Sequence, residues 1–278
     1  MKRFLCLFFA LLLILCSCGS NETQNSENSV KGNFTGKTYG ALQYCIGFRK
    51  DDGALAKLFD DALAEMISDG TAGKICENWL DTDLIEYSEG KQMPESEDDS
   101  LYDVREAGEI KVGVDTLSYP MTFRDAQKQV CGLDADILRE LSNRTNINAV
   151  FVNCPRESAA GMLESGDIDC FIGALALSGK TQDKMLVTRP YLTTRLTLII
   201  SDKVDGIDGL DGLTDMKIGV RENSYALEYV NKCGTAFSEI ATYDSDYHAY
   251  FRLREHRVHA VLVEEPFAIW AQKGNLEN

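Results

Sequence analysis

Between residues 53 and 67, Leu55, Leu58, Phe59, Ala62, Leu63, Met66 and Ile67 recur at the i, i+3, i+4, i+7 spacing of a single helix face, which predicts an amphipathic helix. Gly70 supplies a stop, and Thr71 opens a second, shorter helix that runs through Trp79. The following stretch, SEGKQMPESEDDSLYDVREAG over residues 88–108, is acidic, carries Pro94 and has no apolar period, so it reads as a linker. From residue 109 the pattern changes. Short apolar runs at 110–114, 149–152 and 168–175 alternate with helical patterns at 133–144 and 156–165, the alternation of a parallel sheet covered by helices. A long strand-like run at 192–201 leads to a second set: strand 216–220, helices 224–232 and 245–255, and strand 258–263. Two α/β units joined by an extended strand predict two lobes with a cleft between them, where loops at strand ends meet a ligand.

The opening residues, MKRFLCLFFALLLILCSCGS, fit neither unit. Lys2 and Arg3 precede an apolar run over 4–15 that is short for a permanent membrane span, and residues 19–36 are polar, with no core for a first helix to join. The expectation is a secretion signal. Leu15-Cys16-Ser17-Cys18 resembles a bacterial lipobox, which makes 1–17 the leader, Cys18 the lipid carrier and 18–36 a polar tether. The formal charge of −16 becomes −18 once Lys2 and Arg3 leave, and nucleic acid, which demands a basic face, is excluded as a partner. Of nine cysteines, Cys45, Cys76, Cys131, Cys154, Cys170 and Cys233 stay in the exported domain. None shows a CxxC spacing and several sit among apolar neighbours, so free core thiols and disulfides stand as alternatives.

Six passages carry a family likeness: IKVGVDTLSYPMTF (110–123), GLDADILREL (132–141), GDIDCFIGALALS (166–178), RPYLTTRLTLII (189–200), MKIGVRENSYALEYV (216–230) and VHAVLVEEPFAIWAQ (258–272). Together, residues 109–272 resemble most of a bacterial extracellular solute-binding protein of the amino-acid-binding family, the receptor component of ABC importers. The resemblance implies an α/β, two-lobed fold of the type II periplasmic-binding-protein kind, with the ligand cleft between the lobes. In that family the chain continues past the last passage with a returning strand, a Gly-Phe-Arg-Lys-like turn and two helices. Here the similar passage is ALQYCIGFRKDDGALAKLFDDALAEMISDGTAGKICENWL, residues 41–80, ahead of everything else. The domain therefore reads as circularly permuted: 37–87 is the displaced closing segment, 88–108 joins the original termini, 109–192 is lobe 1, and 193–278 is the crossing strand and lobe 2. A flexible linker of this length spans about 25 Å against a radius of gyration of about 17 Å, so it can reach. The competing arrangement, a remnant of one domain followed by a truncated copy, would leave overlap or gaps, whereas the two pieces are complementary. The hinge is expected at the strands around 43–48 and 193–199.

Receptors of this family hold a zwitterion with an arginine for the carboxylate, an acid for the ammonium and an aromatic shelf, because a desolvated charge needs an opposite charge or several hydrogen bonds. The resemblance puts Asp115, Ser118, Tyr119, Arg156, Ala174, Ala176, Thr181, Arg221, Tyr225 and Glu264 at the cleft. Glu264 in VLVEEPF matches the ammonium-binding acid, or else is an exposed carboxylate at a strand end. Asp115 either lines the pocket or caps a turn. The arginine that follows the Gly-x-Ser/Thr turn in the family is replaced by Thr181, with Lys180 beside it, and the turn's own Ser/Thr by Ala176. Arg156, at a common shelf position, and Arg221, at a strand end, each either compensate by clamping a carboxylate or stand as solvated cations. Tyr119 and Tyr225 are shelf candidates or core packing.

The expected function is that of a membrane-tethered, extracytoplasmic receptor, monomeric and without cofactor, that binds a small polar solute by lobe closure and presents it to an ABC transporter permease. The membrane partner is reached through the lipid anchor at Cys18. A cleft enzyme resembling cyclohexadienyl dehydratases, with Glu264 or Asp115 as general acid, and a sensing module that feeds no transporter are the alternatives. His248, His256 and His259 lie in HAYFRLREHRVH, which reads as an exposed helix running into a strand edge, not as a metal site.

Overall fold

The computed structural model describes residues 32–86 and 92–274. The leader and Cys18 lie outside these residues, whereas 33–36, expected at the end of the tether, belong to a strand. That strand, β1 (Asn33–Tyr44), runs almost directly into β2 (Gly47–Phe48), and the two expected helices follow as α1 (Gly53–Ser68) and α2 (Thr71–Leu80). α1 buries Leu55, Phe59, Leu63 and Met66 on the face that its spacing predicts. Each such side chain taken out of water is worth about 1.5–3 kcal/mol. Asp60 shares that buried face and is accommodated by Arg189, whose Nη2 lies 2.6 Å from Oδ2.

The expected linker contains structure. α3 (Ser100–Ala107) forms within it, and Met93 and Val104 are buried. Eight residues with one buried side chain are too few for a periodic signal, which is why the sequence reads there as linker. Asp98 fixes the segment: its Oδ1 accepts from the Ser100 backbone N–H at 3.0 Å at the start of α3, and its Oδ2 accepts from the Ala54 N–H at 2.9 Å at the start of α1. One carboxylate thus satisfies orphan donors of two helices, and α1 has no side-chain cap from its own N-cap residue.

Beyond α3 come β3 (Glu109–Val114), the short strands β4 (Leu117–Ser118), β5 (Thr122–Arg124) and β6 (Val130–Cys131), then α4 (Leu133–Thr145), β7 (Asn148–Asn153), α5 (Ala159–Ser165), β8 (Cys170–Phe171), α6 (Gly179–Lys184) and β9 (Leu186–Val187). The apolar run at 168–175 gives only the two residues of β8, because the backbone turns at Ala174, φ 51°. Gly132 opens α4 at φ 127°, pressed so closely on the backbone of Met121 that a Cβ there would lie 2.2 Å from the Met121 carbonyl oxygen. The chain then continues through β10 (Leu192–Ile200), β11 (Lys217–Arg221), α7 (Tyr225–Val230), β12 (Glu239–Tyr243), α8 (Asp246–Arg254), β13 (Ala260–Glu264) and α9 (Glu265–Gln272).

Two five-stranded sheets form the two lobes, β7-β3-β8-β2-β9 in the first and β1-β10-β13-β11-β12 in the second. β3 lies parallel to β7 and β8, and β11 parallel to β12 and β13. The N-terminal strands enter both sheets antiparallel: β2 between β8 and β9, β1 along β10. Among the described residues the chain passes between lobes twice, side by side, at residues 44–47 and 188–191. The Thr188 N–H donates to the Ile46 carbonyl at 3.0 Å, and the Tyr191 N–H to that of Tyr44 at 2.9 Å. The second crossing therefore precedes 193–199, which sits wholly within the second lobe's sheet, zipped between β1 and β13. All six described cysteines are free, and Cys45, Cys76, Cys154 and Cys170 are buried.

Candidate functional site

The carboxyl ends of the parallel strands supply the cleft, as open α/β sheets generally do. Asp115 follows β3 and Arg156 follows β7 in the first lobe; Arg221 ends β11 and Glu264 ends β13 in the second. Local chemistry holds these ends in place. Ser224 donates its hydroxyl to the Arg221 carbonyl at 2.6 Å and accepts from the Leu227 N–H at 3.1 Å, so a single serine ends the β11 turn and caps α7, whose first residue is Tyr225. Ser245 caps α8 in the same way, accepting from the His248 N–H at 3.2 Å.

The four charged residues pair across the lobes. Arg156 Nη1 donates to Glu264 Oε1 at 3.0 Å, and Arg221 Nη2 donates to Asp115 Oδ2. Both guanidinium groups also reach Ser118, with Oγ 2.8 Å from Arg221 Nη1 and 3.4 Å from Arg156 Nη2. The Arg156 guanidinium lies over the Tyr225 ring, Cζ 5.3 Å from its centroid, and Tyr225 Oη accepts from the Ala176 N–H at 2.9 Å. All four charged side chains are at most one-tenth exposed. Burial alone works against the Arg156 cation, but Glu264, Tyr225, Tyr44 and Asp115 around it hold its pKa above the ordinary arginine value.

Some expected site residues do other work. The Thr181 hydroxyl donates to the Ala176 carbonyl at 2.9 Å, and its N–H is taken by the α6 cap Ser178, so it offers the cleft no substitute for the missing arginine. Thr181 does line, with Tyr225, Lys180 and Glu228, a groove of about 450 Å³ between α6 and α7. Tyr119 stacks on Phe123, centroids 4.7 Å apart, and packs against Tyr247 at 5.5 Å and Trp270 at 5.6 Å, which makes it an aromatic contact between the lobes. Ala174 is fully buried, and its N–H donates to Asp134 Oδ2 at 2.9 Å.

Three cleft residues escaped the sequence reading. Tyr44 donates its hydroxyl to Glu264 Oε2 at 2.6 Å; it belongs to the crossing between lobes, a place that only the fold reveals. Asp246, the first residue of α8, is buried behind Glu264, and Oδ2 accepts from the Glu264 N–H at 3.4 Å. Burial and the neighbouring Glu264 push its carboxyl up to about 7, against the pull of Arg221. Asp134 accepts from Tyr191 Oη at 2.6 Å beneath the Ala174 turn and is raised by burial to about 6. The serine–aspartate step at 245–246 was a legible helix start, but nothing in it announced a cleft.

Residues 110–253 match the bacterial extracellular solute-binding proteins, family 3. Among curated proteins, the histidine-binding periplasmic protein of Salmonella typhimurium (strain LT2) is 24% identical over 157 residues, 56% of this chain and 60% of that protein. The L-cystine-binding protein TcyJ of Escherichia coli (strain K12) is 23% identical over 170 residues, 61% and 64% respectively. The chain thus spans about three fifths of the length of these relatives. Two solved structures share the fold at a TM-score of 0.59. The ancestral amino acid-binding protein AncCDT-1, a precursor of cyclohexadienyl dehydratase, is 21% identical over 63% of this chain and 78% of its own. An ABC uptake transporter substrate binding protein from Streptococcus pneumoniae with bound histidine is 17% identical over 65% and 75%.

Proposed function

Because the chain belongs to the bacterial extracellular solute-binding proteins, family 3, we propose that it is an extracytoplasmic receptor that delivers a small carboxylate-bearing solute, an amino acid or a close relative, to an ABC importer permease. The observation that carries the ligand class is the meeting of Arg156 and Arg221, from opposite lobes, at Ser118 Oγ. Two planar guanidinium groups converging on one hydroxyl form a carboxylate clamp approached from a direction other than that of the arginine which Thr181 replaces. A ligand carboxylate displaces Asp115 from Arg221, and the freed Asp115 then faces the ligand's positive end. Groups from both lobes contact the ligand only when the lobes are together, so binding shifts the population toward the closed form. The paired crossings at 44–47 and 188–191 are the hinge.

The same reading includes a permuted chain order and a lipid anchor at Cys18. The order is supported by the places that the N-terminal segment takes in both sheets, and by solved relatives that match residues of this chain over only 75–78% of their own length. Because β1 enters the second lobe's sheet, an anchor ahead of it attaches there. Thermal unfolding of the purified protein against amino acids, dicarboxylates and short peptides tests the ligand class, since a ligand of the native state raises the Tm by mass action. A carboxylate-bearing solute is expected to raise it, and Arg221→Ala to abolish the rise. Stabilisation only by solutes without a carboxylate refutes the reading.

A further inference from the structure

A cation already occupies the cleft, and it belongs to the chain. The Arg156 side chain is 8% exposed, and its guanidinium has a carboxylate on one edge (Glu264 Oε1, 3.0 Å), an aromatic face beneath it (Tyr225, 5.3 Å) and a hydroxyl at its other terminal nitrogen (Ser118 Oγ, 3.4 Å). A carboxylate, a ring face and a hydroxyl are the set by which proteins recognise a free guanidinium or ammonium group. The other oxygen of Glu264 accepts from Tyr44 Oη at 2.6 Å, so each of its carboxylate oxygens already holds a partner.

We propose that Arg156 is a built-in surrogate for a cationic ligand group: a specificity-determining residue that closes the Glu264–Tyr225 place to positively charged solutes and leaves the cleft to ligands that bring negative charge there. The inference rests on reading the cleft as the ligand site. An observation independent of the pairing agrees with it. Arg156 Nε is buried without a hydrogen-bond acceptor among the described residues, an N–H that a ligand oxygen would satisfy and a ligand cation would not. A second cation brought to Glu264 would also face Arg156 itself, and like charges so close in a dry cleft repel strongly.

Emptying the place should make it accept what it now excludes. The test titrates methylguanidinium chloride into the purified wild type, Arg156→Ala and Arg156→Lys, following thermal unfolding against sodium chloride at equal ionic strength. Arg156→Ala should bind methylguanidinium at least tenfold more tightly than wild type, and Arg156→Lys, which keeps a cation in place, should bind it no better than wild type. Adding Glu264→Gln to Arg156→Ala should remove the gain. A cooperatively folded Arg156→Ala with no gain, or a wild type that binds the probe equally well, overturns the proposal. If the alanine variant does not fold, Arg156→Gln, which keeps the stem and drops the charge, carries the same comparison. The probe is not a transported solute, so failure here leaves the receptor reading standing, and a wild type that answers to no carboxylate leaves this result standing.

Discussion

The Asp246 carboxyl is raised above that of an unfolded aspartate. Burial, with Glu264 beside it, pushes the carboxyl up to about 7, and Arg221 and Arg156 only partly oppose this. An unfolded aspartate titrates near 3.9, so between about pH 4 and 7 the folded chain binds more protons at this residue than the unfolded one. Its contribution to stability is therefore greatest on the acid side of that window and is lost as pH rises through it, the reverse of a salt-bridged carboxylate. Asp246→Asn removes the titration and keeps an oxygen for the Glu264 N–H. The variant should be more stable than wild type at pH 8, and the difference should shrink toward pH 4. Urea unfolding across that range checks it, and a difference that does not vary with pH rules the assignment out.

Among the elements, α1 and α3 depend on one side chain. Asp98→Ala leaves the Ala54 and Ser100 N–H groups without their shared acceptor and should cost about 1–2 kcal/mol, read as a lower urea midpoint at unchanged slope. That dependence was invisible in the sequence, where Asp98 is one acid in an acidic run. Sixteen residues that bury Leu55, Phe59, Leu63 and Met66 on one face announce a helix by period alone, whereas α3 is held by a contact with a helix more than forty residues away. The cleft divides in the same way. That Arg221, Glu264, Asp115 and Arg156 come together at strand ends was expected from the family resemblance, helped by the apolar runs that reveal those strands. The function of Thr181 was not, since whether a hydroxyl faces a ligand or its own backbone is decided by the turn at 176–181. Nor was Tyr44, because the last residue of a strand, where the chain leaves one sheet for the other, has no periodicity to betray its role.

At the scale of the molecule, the permuted reading makes a prediction about covalent order. A chain rebuilt to begin at residue 92, so that Met93 and Asp98 are kept, run to 274 and close with 33–86 through a flexible joint should recover the same two sheets, with a circular dichroism spectrum like that of wild type and a Tm within several degrees. A rebuilt chain that does not fold cooperatively counts against the idea that only the order of the pieces differs. The arrangement as it stands also has a consequence in time. β2 meets its neighbours through Gly47, which pairs with Phe171 and Val187, and the last residue of β1, Tyr44, lies opposite Leu192. During synthesis, β1 and β2 must wait until well over a hundred further residues have emerged before either strand has a partner. Non-local pairing of this kind is slow to form, so β1 and β2 should stay unpaired, and open to aggregation, for longer than strands that follow their partners along the chain.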